Sequence, residues 1–218
     1  MTSEQSIAEF LWMQTASNIT AGTQDQELFV LSHGLQVSSD VASTDVLDQA
    51  LRAYRLLRMK KFYLRAPKRC LRQVMKQGGR VIKRLRKEIE HVDAELAGII
   101  ITQKHWWTAG VGNMRVYLYR KEAMLKVLPK KDTGESLPTI GSEKKVLWEE
   151  TEGEFSSGDI LLILTHDLAM TLSMSQIAKV ITDNLQFVKI QELAKILIEE
   201  AVKRRKQDGY GVLLIRKL

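Results

Sequence analysis

The chain has 218 residues, is 44% hydrophobic and carries a formal net charge of +7. This length can bury one sizeable core, so we expect a single domain spanning residues 1–218. Cys70 is the only cysteine, which excludes an intramolecular disulfide, and no apolar run approaches the roughly 18 residues of a membrane-spanning helix. Because the N-terminus also lacks a basic-then-apolar leader, these features predict a cytoplasmic protein.

Strands and turns are predicted for the first forty residues. Residues 7–13 predict a first strand, residues 18–26 a polar turn, and residues 27–31 a short apolar strand. The polar residue His33 and the glycine Gly34 follow the end of this apolar strand. Polar groups at the ends of buried strands are candidate site residues.

The next segment, about residues 44–91, is predicted to be helical and basic. A first helix follows the 3.6-residue period from Thr44 until Pro67 interrupts it. A second helical stretch is expected to break at Gly78 and Gly79, and a third helical stretch follows.

Basic charge is concentrated in residues 52–87, which hold 15 of the 33 Lys and Arg and no Asp or Glu. One interpretation is a solvated outer face of helices, balanced by the acidic remainder of the molecule. The alternative is a surface for nucleic acid, acidic lipid or an acidic protein partner, because a run of this length without an acid exceeds ordinary surface mixing. Binding to polyanions through such a face should depend on the cations Arg80, Lys83, Arg84 and Lys87.

Short strands are predicted for the middle of the chain. Four of them are expected to form an antiparallel meander, at residues 96–101, 105–109, 114–119 and 124–128. Residues 129–145 follow as a linker-like loop that contains two prolines, and residues 146–154 predict another strand.

The apolar run at residues 160–164 predicts a buried strand. Three polar residues, 165–167, follow it at once, so this strand presents polar side chains at its end. Ser173 and Gln176 have the spacing of a capping box and open a helix at about residues 174–184. Two more elements complete the chain, a helix at residues 190–206 and a buried strand at residues 211–215.

The strand at residues 160–164 and its polar end resemble a motif of the metal-dependent protein phosphatases of type 2C, the PPM family. The family motif is Gly-Asp-x-Leu-Leu-Leu-x-Ser-Asp-Gly-Leu, and the corresponding stretch begins here with Gly-Asp-Ile-Leu-Leu-Ile-Leu. Thr165 falls on the Ser, His166 on an Asp that binds a catalytic metal, and Asp167 on the Gly. The frame of the motif is kept and its metal ligand is changed.

Three further motifs carry the resemblance. By position, His33 replaces an Asp that bridges two metal ions in the family, and Gly34 keeps a glycine whose backbone carbonyl is a metal ligand. Asn113 stands where the family has an Asp beside the metal site. Near the C-terminus, Asp208 keeps a metal-binding Asp, and Gly209 replaces its Asn neighbour.

The resemblance is clear over residues 90–218 and looser over residues 7–57. It implies an α+β fold of four layers, an α-β-β-α sandwich in which two mainly antiparallel sheets are flanked by helices, and this agrees with the predicted elements. It also implies that His33, His166 and Asp208 converge at one end of the sandwich. The linker-like loop would be the family's variable flap beside the active site.

The changed ligands bear directly on catalysis. A type 2C site holds two hard divalent cations, Mg or Mn, which need several anionic oxygens. Neutral imidazoles at His33 and His166 would remove two negative charges from that site. We therefore predict that hydrolysis with Mg or Mn fails, that no cofactor is bound, and that the chain is a pseudophosphatase, a regulatory or binding module in phospho-signalling with a protein partner.

Other interpretations stay open. An active protein serine/threonine phosphatase would use another divalent metal (Zn, Ni, Fe or Mn) through His33, His166 and Asp208, since two imidazoles and one carboxylate are a competent ligand set. A different alignment of the N-terminal part offers other ligands, namely Asp25, Glu27 or Asp40. The basic segment would make the chain a polyanion-binding or nucleic-acid-binding protein. Taken singly, each histidine is also explained as a hydrogen-bonded structural residue.

Overall fold

The computed structural model describes residues 7–36, 39–60, 65–130, 137–141 and 148–218. Its strands are β1 (Ala8–Gln14), β2 (Ile19–Gln24), β3 (Leu28–Gln36), β4 (Val92–Ile101), β5 (His105–Val111), β6 (Arg115–Arg120), β7 (Ala123–Leu128), β8 (Glu149–Glu154), β9 (Ile160–Leu164) and β10 (Gly211–Lys217). Its helices are α1 (Ser39–Met59), α2 (Pro67–Leu85), α3 (His166–Thr171), α4 (Met174–Asn184) and α5 (Ile190–Arg204).

Two five-stranded antiparallel sheets form the centre of the molecule. The first sheet has the order β1-β10-β9-β6-β7 and the second sheet the order β2-β3-β4-β5-β8. Apolar side chains of both sheets pack against each other in the space between them. Helices α1 and α2 cover the outer face of the second sheet, and α3, α4 and α5 cover the outer face of the first. The predicted α-β-β-α sandwich is confirmed.

Side chains alternate between the two faces of β3 and β4, because successive residues of a strand point in opposite directions. In β3, Leu28 and Val30 pack with the helices, whereas Phe29 and Leu31 pack between the sheets. This alternation directs His33, two residues after Leu31, into the space between the sheets.

The polar turn predicted for residues 18–26 is wrong, because most of it is strand β2, which pairs antiparallel with β3. The tight turn between the two strands is made by Asp25 and Gln26, with φ angles of 55° and 53°. Strand β3 is also longer than predicted, so His33 and Gly34 lie inside a paired strand and not beyond its end. Burial between the sheet layers outweighs the weak local strand signal of β2.

The helical segment is more continuous than predicted. Helix α1 begins at Ser39 and not at Thr44, and α2 continues through Gly78 and Gly79, where a break is predicted. A Cβ atom on Gly78 would lie 3.1 Å from a methyl group of Leu96 in β4 and 3.3 Å from the backbone oxygen of Val46 in α1. The glycine therefore allows close packing of α2, and this packing offsets the low helix propensity of glycine.

The prediction that four consecutive strands form one antiparallel meander is also wrong, because these strands belong to two sheets. Strands β4 and β5 pair in the second sheet, whereas β6 and β7 pair in the first. The chain crosses between the sheets after β5, near Gly112, whose φ angle is +86°. A short connection is thus compatible with a change of sheet, which local sequence patterns do not reveal.

The C-terminal half follows the predictions closely. Strand β9 is buried along its whole length, and α4 begins with the predicted capping box, in which Ser173 and Gln176 bond each other's backbone. The short helix α3 between these two elements is not predicted. Among the helices of the described residues, none is long and apolar enough to cross a lipid bilayer. Most of the loop at residues 129–145 lies outside the described residues.

Candidate functional site

Residues next to His33 and next to His166 meet at one end of the sandwich. His33 is paired with Ile19 across β2 and β3. A Cβ atom on Gly211, at the start of β10, would lie 2.7 Å from a methyl group of Ile19 and 3.1 Å from a methyl group of Thr165. Ile19 therefore connects the two sheets at the end where β9 leads into His166.

His33 contacts a carboxylate that no sequence motif singles out. Its Nδ1 lies 3.4 Å from Oε2 of Glu95, which is its partner across β3 and β4. The two residues are only 7% and 2% exposed. Oε1 of the same carboxylate accepts a hydrogen bond of 2.6 Å from the backbone N–H of Asn113. Glu95 is thus held by two protein groups in the space where the resemblance places a metal centre.

A sequence signal for Glu95 exists, although it is general. Strand β4 is buried at every residue and is otherwise mostly apolar, so an acidic residue within it requires a partner. Asp93, in the same strand, has such a partner in the hydroxyl group of Thr139. Only the pairing of β3 with β4 identifies the partner of Glu95 as His33.

Gly34 has a packing role that explains its identity. A Cβ atom at this position would lie 1.7 Å from the backbone oxygen of Ser39, at the start of α1, so every other residue is excluded sterically. The carbonyl oxygen of Gly34, the expected metal ligand, accepts a 2.9 Å hydrogen bond from Nδ2 of Asn18. The backbone N–H of Gly34 donates to the backbone oxygen of Asn18 at 2.8 Å.

Thr165 joins the end of β9 to the start of β10. Its buried hydroxyl donates to the backbone oxygen of Gly209 at 2.8 Å and accepts from the backbone N–H of Gly211 at 3.0 Å. His166 follows at the start of α3 and is partly buried. Its Nδ1 is buried and makes no hydrogen bond within the part of the chain that the structure describes.

The remaining expected site residues are placed as follows. Asp208 is exposed to solvent. Gly209 has a φ angle of +101°, and a Cβ atom there would lie 2.6 Å from Oδ2 of Asp167, so the glycine is required both by backbone conformation and by space. Oδ1 of Asn113 accepts a hydrogen bond from the backbone N–H of Leu137 at 2.9 Å. Asn113 thus holds one of the few described residues of the predicted flap.

Asp159, the acidic residue of the Gly-Asp pair before β9, has a structural role. Asp159 is almost fully buried, and its two oxygens accept hydrogen bonds of 2.8 and 2.6 Å from Nε and Nη2 of Arg120. Oδ2 also accepts from the backbone N–H of Ser156 at 2.7 Å. The hydrogen bond with Asp159 raises the pKa of the Arg120 guanidinium above its ordinary value. This pair ties the end of β6 to the turn before β9.

The side chains present at the expected metal site do not supply the several anionic oxygens that two hard divalent cations need. His33 and His166 offer neutral nitrogen, Glu95 is engaged by His33 and Asn113, and Asp208 stands in solvent. Among the described residues, no three His, Cys, Asp or Glu side chains form a group that could hold a metal ion. The metal set His33, His166 and Asp208 stays a prediction.

The alternative N-terminal ligands lie elsewhere. Asp25 and Glu27 are at the β2–β3 turn, where both carboxylates contact Nε of Arg58, at 3.5 and 3.0 Å. This turn is at the opposite end of β3 from His33, roughly 20 Å away at the usual rise of a strand. Asp40 is exposed in the first turn of α1.

The basic segment forms an exposed stripe on α2. Its cations recur at helical spacing along one face, namely Arg69, Arg72, Lys76, Arg80, Lys83, Arg84 and, beyond the helix end, Lys87. Two cations at the start of the helix, Lys68 and Arg72, pair with Glu152 and Glu150 of β8. Arg80 donates to the neutral side chain of Gln77. Acidic β8 therefore balances only the beginning of α2.

The chain is similar in structure to solved PPM-type serine/threonine phosphatases. No protein-family model and no curated protein sequence matches it. The similar structures include PppA, a key regulatory component of T6SS in Pseudomonas aeruginosa, with a TM-score of 0.78, 14% identity and coverage of 98% of this chain and 99% of that chain. The serine/threonine phosphatase of S. agalactiae has a TM-score of 0.78, 15% identity and coverage of 97% and 100%.

The catalytic domain of the serine/threonine protein phosphatase PstP, solved in complex with two manganese ions, is a third similar structure. It has a TM-score of 0.75, 16% identity and coverage of 96% of this chain and 97% of that chain. At this level of identity the similarity shows the fold alone. The chain therefore has a type 2C phosphatase-like fold over nearly its whole length.

Proposed function

We propose that this chain is a phosphatase-like domain that acts by binding a protein partner and does not hydrolyse phosphoesters with Mg or Mn. The observation that carries the proposal is the buried contact between His33 and Glu95. At position 33 the family resemblance expects a carboxylate that bridges two cations. Here an imidazole stands at that position, and the carboxylate beside it is engaged by protein groups.

Charge supports the same conclusion. Two hard divalent cations bring four positive charges, and proteins balance them with several carboxylates. Histidine at positions 33 and 166 removes two of these negative charges, and the carbonyl of Gly34 already accepts a hydrogen bond from Asn18. A domain that keeps the fold without these ligands would act through its surface, as a regulatory or binding module of phospho-signalling in the cytoplasm.

Phosphatase assays test this proposal directly. The purified protein is incubated with p-nitrophenyl phosphate and with phosphoserine and phosphothreonine peptides, with Mg, Mn or Zn supplied separately. We expect turnover equal to a buffer blank with Mg and with Mn. Turnover well above the blank that Asp208→Ala abolishes would overturn the proposal, because it would show that a metal centre operates at the expected end of the sandwich.

A second candidate, a phosphatase with a softer metal, is favoured by one observation. Nδ1 of His166 is buried and has no hydrogen-bond partner among the described residues, and an imidazole nitrogen of this kind suits Zn, Ni or Fe. This candidate requires near-stoichiometric metal in the protein as purified, lost in His166→Ala. Elemental analysis of the wild type and of that variant decides between the two candidates.

A third candidate, polyanion binding, rests on the unbalanced part of the α2 stripe. Arg80, Lys83, Arg84 and Lys87 are exposed, and no described acidic side chain forms an ion pair with them. Binding to heparin or DNA should then be weak, should fall steeply with salt, and should decrease when all four cations are replaced by Gln. Absence of binding at low salt would make this stripe an ordinary solvated surface.

A further inference from the structure

Helices α1 and α2 form an antiparallel hairpin, and the contact between them shows which residues lie side by side. A Cβ atom on Gly78 would lie 3.3 Å from the backbone oxygen of Val46. Because both helices rise 1.5 Å per residue, moving back along α2 corresponds to moving forward along α1. Arg55 of α1 and Arg69 of α2 therefore lie at the same height of the hairpin, near the end where α1 stops.

Several exposed cations lie at the end of the hairpin where α1 stops. The hairpin-end patch consists of the exposed residues Arg52, Arg55, Leu56, Met59, Lys60 and Arg69. Among the described residues none of its four cations pairs with an acid, and Arg55 donates only to the neutral side chain of Gln24. The exposed acids of α1, Asp40, Asp45 and Asp48, lie toward the other end of the hairpin, beside the second half of α2.

Large apolar side chains stand among these cations. Leu56 is 57% exposed and Met59 is 77% exposed. In the helix, Arg52 and Lys60 are each four residues from Leu56, and Arg55 is four residues from Met59, so these side chains share one face. A surface with cations around protruding apolar groups matches the boundary of an anionic bilayer, where lipid phosphates and carboxylates lie directly above hydrocarbon.

We propose that the hairpin-end patch docks on the surface of an anionic lipid bilayer, with its cations at the lipid headgroups and Leu56 and Met59 entering the interface. Apolar exposure distinguishes this partner from nucleic acid. A phosphate backbone would bind the cations but would offer no apolar surface to Leu56 and Met59. The site lies on the helical layer of the second sheet and does not depend on chemistry at His33.

Vesicle co-sedimentation tests the proposal with the full chain. The probes are vesicles of phosphatidylcholine alone and of phosphatidylcholine mixed with phosphatidylserine. We expect binding to the mixed vesicles only. Since each cation near an anionic surface contributes about fivefold in affinity, replacing Arg52, Arg55, Lys60 and Arg69 by Gln should lower binding by roughly 600-fold.

The apolar residues are tested by a variant of unchanged charge. Leu56→Gln with Met59→Gln keeps good helix formers at exposed positions, so the fold is retained, and binding to mixed vesicles should fall by about tenfold. Phe187→Gln is the matched apolar control, because Phe187 is 83% exposed after α4, on the helical layer of the first sheet. Its binding should equal that of the wild type.

A matched charge control is also present in the chain. Replacing Arg80, Lys83, Arg84 and Lys87 by Gln removes the same number of cations from the far part of the α2 stripe, and it should lower vesicle binding by clearly less than the hairpin-end replacement. Equal losses in the two charge variants would overturn the proposal. Wild-type binding in the Leu56 and Met59 variant, together with full competition by double-stranded DNA, would assign the patch to nucleic acid.

Discussion

The contact between His33 and Glu95 predicts an unusual response to restoring the family's carboxylate. In His33→Asp, the new carboxylate would face Glu95 inside the molecule. In a family site two cations would balance such carboxylates, whereas position 33 here contacts the Glu95 carboxylate, which carries the same charge. We therefore expect His33→Asp to destabilise the protein.

The size of the effect follows from the geometry. His33 Nδ1 lies 3.4 Å from Glu95 Oε2. The shorter Asp side chain would place its oxygens roughly 4 to 5 Å from that carboxylate, where two like charges repel by roughly 3 to 4 kcal/mol at an effective dielectric of 20. Small movements of the two side chains limit this repulsion, so we expect the free energy of unfolding at neutral pH to fall by about 3 kcal/mol.

Urea unfolding followed by the fluorescence of the four tryptophans measures this change. His33→Asn is the matched control, because it has nearly the same shape as Asp and no charge. The variant that combines His33→Asp with Glu95→Gln should be more stable than the sum of the two single changes by about 2 kcal/mol. If the Asp and Asn variants are equally stable, the Glu95 charge does not face position 33 and the reasoning about the site is wrong.

Three further predictions concern residues around the site and in the core. Asp159→Asn removes the buried anion that binds Arg120, so the free energy of unfolding should fall by roughly 2 to 4 kcal/mol in urea. Thr165→Val leaves the backbone groups of Gly209 and Gly211 without their hydroxyl partner, so the free energy of unfolding should fall by roughly 1 to 3 kcal/mol. Burial raises the pKa of the Cys70 thiol to about 12, so a disulfide reagent at pH 8 should modify it only after unfolding.

Each of these predictions has its own control. Asp183→Asn changes an exposed carboxylate on α4. If it lowers the free energy of unfolding as much as Asp159→Asn does, the buried pair has no specific role in stability. Thr165→Ser keeps the hydroxyl and should restore most of the stability that Thr165→Val loses. Rapid labelling of Cys70 in the folded protein would show that the core around α2 opens easily.

Local patterns in the sequence determined a large part of the fold. The unbroken apolar run of β9 makes a buried strand, because such a run needs cover on both faces. The helix after Ser173 begins at a capping box whose two hydrogen bonds join residues three positions apart. Elements of this kind are specified by near neighbours in the chain, whereas the two-sheet sandwich was implied by the resemblance to the phosphatase family.

Contacts between distant residues decided the rest. Strand β2 looks polar and exists because β3 and the sheet layers cover it. Helix α2 passes through both glycines because Gly78 faces α1 and β4 at close range and Gly79 packs against Ile140 and Trp148. Glu95 is 62 residues from His33 in the chain, so only the register of β3 against β4 brings them together. The family resemblance places His33 at a metal-ligand position, and the tertiary structure shows which carboxylate this histidine contacts.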